Sequence, residues 1–207
     1  MNDIYTEPLP IAYVGDDDES IRTLWRWLLE SNGIAVRTFA TAAEFIEFYR
    51  NGNAGCLVLD LKLPGMSGLE LQEYLTDRDI EIPIVFVTGH GDVPAAVSAL
   101  KGGAVDFIQK PFSYKDVLSV IEKAFERDAK IREKRARQSR IAGLLATLTE
   151  REREVLQRII EGKPNKIIAA ELDISMKTVE FHRAKVMEKT GVDSVAELVQ
   201  IAMQQSE

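Results

Sequence analysis

The chain has a single cysteine, Cys56, in 207 residues, so no disulfide can form within it and a reducing cytoplasm is the expected compartment. Long apolar runs are missing too. No stretch approaches the ~18 uncharged apolar residues that cross a bilayer. The opening MNDIYTEPLP has neither the basic segment nor the apolar core of a signal peptide. No membrane partner is expected. No histidine lies near enough to the other candidate ligands to suggest zinc, His90 being the only one nearby. Glycine and proline are absent between Phe112 and Ala142, which excludes a flexible turn-rich linker there.

What is present divides into two unlike halves. Apolar residues make up 45% of the chain, enough for two modest cores. The net charge of −7 is unevenly spread. Residues 1–127 hold 20 Asp/Glu against 11 Lys/Arg, whereas residues 128–207 hold 13 against 15. An acidic half joined to a mildly basic one fits a regulatory module tied to a nucleic-acid-contacting module.

In the first half, apolar runs at 11–16, 36–39, 56–60, 84–88 and 107–110 read as strands, and the stretches between them show helical spacing. Ile21, Leu24, Trp25, Leu28 and Leu29 form one apolar stripe, and Val93, Ala96, Val97 and Leu100 form another. Leu57-Val58-Leu59 and Ile84–Thr88 are apolar on both faces, as a parallel sheet covered by helices requires. Five such units predict a doubly wound (βα)5 domain, residues 1–125. Cys56 and both tryptophans are expected in its core. Residues 126–144 predict a charged helical linker.

The charged residues of this domain fall at the strands' carboxyl ends, where open parallel sheets bind ligands. Asp16 and Asp17 follow the first strand, Asp60 the third, Thr88 the fourth and Lys110 the fifth. Carboxylates converging with no basic partner between them would repel unless a divalent cation is held there, and oxygen-only ligands suit Mg2+ (or Mn2+). A carboxylate such as Asp60 can then act as nucleophile toward a phosphoryl group. Lys110 would neutralise the charge on its oxygens and Thr88 would donate to one of them.

These segments, GDDDES, LVLDLKLPGMSG, VFVTGHGD and DFIQKPF, in this order and spacing, resemble the receiver domain of two-component response regulators over residues 10–125. The resemblance implies a flavodoxin-like fold with Asp60 as phosphoacceptor and Asp16 and Asp17 as the acidic metal pocket. It further implies Lys62 as a metal ligand through its backbone carbonyl, Thr88 and Phe107 as a switch pair, and Lys110 as the phosphate-binding lysine. A cis peptide before Pro111 is common in the family. Gly15 departs from the apolar residue usual there, which is expected to loosen the acidic pocket.

Residues 145–207 read as four helices. Thr149-x-x-Glu152 and Ser194-x-x-Glu197 are capping boxes, and Gly162 and Gly191 are stops. A three-residue turn, Asp173-Ile174-Ser175, joins the second helix to the third, as in a helix-turn-helix. On a helical wheel Val179, Val186, His182, Arg183 and Thr190 share one side, while Lys177, Phe181, Ala184 and Glu188 face away. Lys177, Thr178, Arg183 and Lys185 are placed to meet phosphates, Glu180 to accept from a cytosine amino group and Phe181 to touch a thymine methyl.

The string from LTEREREVLQ to MEKTG resembles the LuxR-type DNA-binding domain, and with TGHGD the whole chain resembles the FixJ-like subgroup. The resemblance implies base contact by Glu180, Phe181 and Ala184, and backbone contact by Lys177, Thr178, His182, Arg183 and Lys185. Pro164 and Ile167 depart from the family's usual Ser/Thr and Glu, predicting an altered start to the second helix and an exposed apolar side chain.

The expected protein is a cytoplasmic transcription factor, phosphorylated on Asp60 by a sensor histidine kinase. Phosphorylation would draw Thr88 inward and let Phe107 follow, favouring a homodimer through residues 92–125 that binds double-stranded promoter DNA, with RNA polymerase a possible partner. Two rivals stand beside it. A phosphatase acting through an aspartyl-phosphate would want an acid two residues after Asp60, where Lys62 stands. A phosphorylation-independent DNA-binding regulator would carry the same chain with a vestigial receiver.

Overall fold

A computed structural model describes residues 9–50, 53–89, 93–192 and 194–203. The first three βα units are β1 (Ile11–Gly15), α1 (Glu19–Ser31), β2 (Ala35–Phe39), α2 (Ala42–Phe48), β3 (Gly55–Leu59) and α3 (Gly68–Thr76). They continue with β4 (Ile84–Thr88), α4 (Val93–Lys101), β5 (Asp106–Gln109) and α5 (Tyr114–Ala146). The strands form one all-parallel sheet in the order β2-β1-β3-β4-β5. After α5 come α6 (Glu150–Ile160), α7 (Asn165–Glu171), α8 (Met176–Thr190) and α9 (Val195–Met203). Two compact units result, Met1–Arg132 and Glu133–Glu207, with the boundary inside the 33-residue α5.

The two-residue period of a strand sends its side chains to opposite faces, and both faces here are covered. Tyr13, Leu57, Leu59 and Phe86 meet Phe45 of α2, Leu71 and Leu75 of α3 and Ala99 of α4. Ala12, Val14, Cys56, Val58, Val85 and Val87 meet Trp25, Leu28 and Leu29 of α1 and Val117, Ile121 and Ala124 of α5. Every residue of β3 and β4 is buried. Burying a side chain such as Phe86 contributes about 1.5–3 kcal/mol. The second unit has its own core, in which Ile141 and Leu145 from the end of α5 pack with Val155, Ile168, Val179, Val186 and Leu198.

Two expectations about the core were wrong. Trp25 is buried, but Trp27 is 62% exposed, because the buried stripe of α1 runs through Trp25, Leu28 and Leu29 and Trp27 lies off it. On α4 the stripe Val93, Val97 and Leu100 is exposed, and the small residue Ala99 is buried instead. The helix is apolar on two sides, and its smaller side chains face the sheet.

Local signals act as expected at the caps. Thr149 and Glu152 exchange both bonds of a capping box, and Ser67 and Glu70 do the same at the start of α3. Glu197 N–H donates to Ser194 Oγ at 3.2 Å. Gly191 closes α8 in the left-handed conformation at φ 67°. Pro164 occupies the N-cap of α7 with no side-chain hydrogen bond, so its carbonyl alone receives the Ile167 and Ile168 N–H groups. Ile167 is exposed.

Candidate phosphoacceptor pocket and reading helix

Three of the five strands, β1, β3 and β5, stop one residue earlier than the sequence suggested, while β2 and β4 end where it placed them. Asp16, Asp60 and Lys110 are therefore the first residues beyond β1, β3 and β5, at the carboxyl edge of the sheet. Thr88 is the last residue of β4. The parallel register brings them together although 94 positions separate Asp16 from Lys110.

Lys110 Nζ donates to Asp16 Oδ2 at 2.8 Å and to Asp60 Oδ2 at 3.0 Å. This corrects the expectation of carboxylates without a cation between them, because the lysine of the fifth strand's end is that cation. Burial alone would lower the ammonium's pKa, but its bonds to Asp16 and Asp60 and their negative charge outweigh this and hold it above the ordinary lysine value. Asp60 Oδ1 accepts from Thr88 Oγ1 at 2.9 Å and from Lys62 N–H at 3.1 Å. Asp16 is buried and Asp17 exposed, and the Arg22 guanidinium donates to both their carbonyls at 2.8 Å. The peptide between Lys110 and Pro111 is cis.

Thr88 is fully buried, its hydroxyl bonded to Asp60 Oδ1. Phe107 is half-buried and lies 6.3 Å, centroid to centroid, from Phe86. At Gly15 a β-carbon would come within 2.9 Å of Leu59 Cδ1, and the Gly15 carbonyl accepts the Asp60 N–H at 2.9 Å. The loop after Asp60 turns back just as tightly, since a β-carbon on Gly68 would sit 2.4 Å from the Asp60 carbonyl oxygen.

The groups expected to face a cation, the carboxylates of Asp16, Asp17 and Asp60 and the Lys62 carbonyl, are all oxygen donors, a set that would suit a hard ion such as Mg2+ rather than zinc. Among the described residues no three His, Cys, Asp or Glu side chains are gathered into a ready ligand group. Lys110 lies between Asp16 and Asp60, and Asp17 faces solvent. His90 lies outside the described residues.

On α8 the inward side is Val179, Val186 and Thr190, as the wheel indicated. Lys177, Glu180, Phe181, Ala184 and Glu188 are exposed, and Thr178, His182, Arg183 and Lys185 are half-buried. Phe181 is 58% exposed. Ser175 caps the helix, its Oγ accepting from Thr178 N–H at 3.1 Å. Lys185 is tied to Glu188 at 2.7 Å, so its charge is already answered within the helix. His182 Nδ1 is buried without a hydrogen-bond partner.

The sequence reading missed Asp128, which it placed in the charged helical linker. It is 2% exposed, its Oδ2 accepting from Gly55 N–H at 3.0 Å and from Arg132 Nε at 2.8 Å. The signal was its position on the buried stripe Val117, Ile121, Ala124.

Comparison with known proteins bears on both units. The family described as response regulator receiver domain matches residues 12–122, and that described as bacterial regulatory proteins, luxR family, matches residues 146–202. The transcriptional regulatory protein FixJ of Rhizobium meliloti (strain 1021) is 44% identical over 192 residues, covering 93% of this chain and 94% of that protein. The transcriptional regulatory protein TdiR of Thauera aromatica is 38% identical, over 94% of this chain and 86% of that protein. Among solved structures, that of the response regulator StyR is 46% identical, covers 95% of this chain and 100% of that one, and has a TM-score of 0.84. Full-length FixJ from B. japonicum is 40% identical, over 95% of this chain and 97% of that one, at a TM-score of 0.57.

Proposed function

Because the chain belongs to the response regulators that join a receiver to a LuxR-family DNA-binding domain, and so regulates transcription, we propose that Asp60 is its phosphoacceptor and that phosphorylation drives dimerisation on promoter DNA. Residues 1–125 are taken as the receiver, 126–144 as the linker and 145–207 as the reading domain. The donor is a sensor histidine kinase, and the compartment is the cytoplasm. Among the described residues no helix is long and apolar enough to cross a membrane.

The observation that carries this reading is the double engagement of Asp60, by the Lys110 ammonium on one oxygen and the Thr88 hydroxyl on the other. In the transfer, the bond from phosphorus to the donor imidazole nitrogen breaks and one from phosphorus to an Asp60 carboxylate oxygen forms. Lys110 moves its contact to a phosphoryl oxygen, and Thr88 transfers its hydrogen bond from Asp60 Oδ1 to another. Mg2+, held by Asp16, Asp17, Asp60 and the Lys62 carbonyl, would supply charge neutralisation at the phosphoryl oxygens. The receiver thus assists its own phosphorylation without being an enzyme in the usual sense.

Dimerisation finds its surface on the α4–β5–α5 side, where Val93, Val97 and Leu100 stand exposed. A second copy would cover this apolar patch and bring two α8 helices to two half-sites, where affinity rises without new base contacts. On each half-site Glu180, Phe181 and Ala184 would read bases while Lys177, Thr178, His182, Arg183 and Lys185 hold the backbone. The test is light-scattering mass with Mg2+, with and without beryllofluoride. Wild type is expected to pass from monomer to dimer with the mimic, and Asp60→Asn to stay monomeric throughout. A mimic-dependent dimer in Asp60→Asn would overturn the assignment of Asp60. A wild type that binds no mimic would point to a receiver without phosphoryl function.

A further inference from the structure

The reading domain carries the wrong sign of charge for its partner. Residues 141–207, which hold all four helices of the helix-turn-helix bundle, contain 11 Asp/Glu and 9 Lys/Arg, a net of −2. The mildly basic balance of the second half comes entirely from residues 129–140, with six Lys/Arg against one Glu. Within the bundle, moreover, Arg151, Arg158, Lys163, Lys185 and Lys189 are each in an ion pair with a glutamate. Sequence-independent affinity for DNA depends on cations that replace condensed counterions at phosphates. The bundle alone has few to offer.

The end of α5 has them. Lys134, Arg137 and Arg140 are exposed, and no ion pair among the described residues engages any of them. Arg132, on the other side of the helix, is paired with Asp128. On a wheel of 100° per residue Lys134 and Arg137 lie within about 60° of Ile141 and about 80° of Leu145, with Arg140 on the flank. Ile141 and Leu145 are buried in the same core as Val179 and Val186 of α8. The basic face is therefore the continuation of the face by which α5 docks on the bundle, and it extends roughly 6–10 Å past the last docked residue. Glu133 lies on the same arc and offsets one charge.

We infer that Lys134, Arg137 and Arg140 form an accessory phosphate-contacting surface, supplying the helix-turn-helix with the positive charge its own bundle lacks. The inference rests on the DNA-binding reading above. It assigns the linker helix an electrostatic part in binding, without sequence readout.

The test uses the full chain with Mg2+ and beryllofluoride and a random-sequence 30-base-pair duplex, its affinity measured by fluorescence anisotropy across a KCl series. Replacing all three cations (Lys134→Gln, Arg137→Gln, Arg140→Gln) is expected to flatten the slope of log K against log salt by about 2 to 3 and to weaken binding roughly tenfold or more at moderate salt. The charge-preserving variant (Lys134→Arg, Arg137→Lys, Arg140→Lys) should keep the wild-type slope, which separates charge from helix stability. A glutamine variant with the wild-type slope overturns the inference and leaves the DNA-binding reading standing. A wild type that binds no duplex overturns both.

Discussion

The carboxyl edge of the receiver sheet and the outer face of α8 handle polar groups in opposite ways. Around Asp60, the Lys110 ammonium, the Thr88 hydroxyl and the Lys62 N–H are each bonded to a carboxylate oxygen at 2.8–3.1 Å. On α8, Lys177, Glu180 and Phe181 stand exposed, and the flanking Lys185 is paired with Glu188. On the function proposed above, the first region is preorganised for a small tetrahedral ligand, whose arrival would exchange one set of bonds for another. The second would meet a large partner that brings its own desolvation and its own charges. Geometry fixed by a buried sheet can therefore carry a switch, and an exposed helix can carry recognition.

The contrast can be tested hardest through the packing beneath the pocket. Phe86 is fully buried under Gly68, whose backbone turns against the Asp60 carbonyl. Phe86→Ala should cost the receiver about 3–5 kcal/mol, read from its transition in urea denaturation. It should also weaken beryllofluoride binding, since the Gly68 turn loses its support. Unchanged mimic affinity at that loss of stability would break the comparison, showing that the pocket does not depend on the packing below it.

A smaller effect is expected where apolar side chains are exposed. Leu100→Asp on α4 removes an apolar surface group and adds a charge that a dimer interface would have to desolvate. Mimic-induced dimerisation should weaken at least about tenfold, while stability changes by less than about 0.5 kcal/mol. The measurement is mass against concentration by light scattering. Full dimerisation in this variant would move the dimer surface away from α4.

How much of this was legible in the sequence follows from the same contrast. The sheet, its five strands and the convergence of Asp16, Asp60, Thr88 and Lys110 could be read because runs apolar on both faces permit one architecture, and that architecture fixes where strand ends meet. The Lys110 bridge could not, since nothing local says which of several converging groups will touch. The α4 stripe and Trp27 failed for a different reason. Periodicity tells which residues share a face but not which face is covered, and on α4 the alanines fit against the sheet where Val97 and Leu100 were expected. Asp128 was hidden by its composition, a carboxylate among charged neighbours that the helix phase nonetheless turns inward. On α8 the wheel sufficed, because Val179 and Val186 leave a single way to dock.

One place in the second unit behaves like the first, and it gives the mildest prediction. Glu152 is 5% exposed, accepts from the Thr149 N–H at 2.8 Å and is bridged by Lys189 at 2.6 Å. The bond from Lys189 first, then the Thr149 amide, holds its carboxyl below the ordinary value of 4.5. A carboxylate depressed on folding stabilises the fold at pH above its unfolded value, and this contribution fades as pH falls through the lower folded value. Glu152→Gln should therefore lower the stability of the helix-turn-helix unit by about 1 kcal/mol at neutral pH. The gap between variant and wild type should close below pH 4.5. Thermal unfolding of both proteins from neutral to acid pH reads the difference directly. A gap that stays constant over that range would mean the carboxylate's charge contributes nothing there and that its role is the neutral one of a cap.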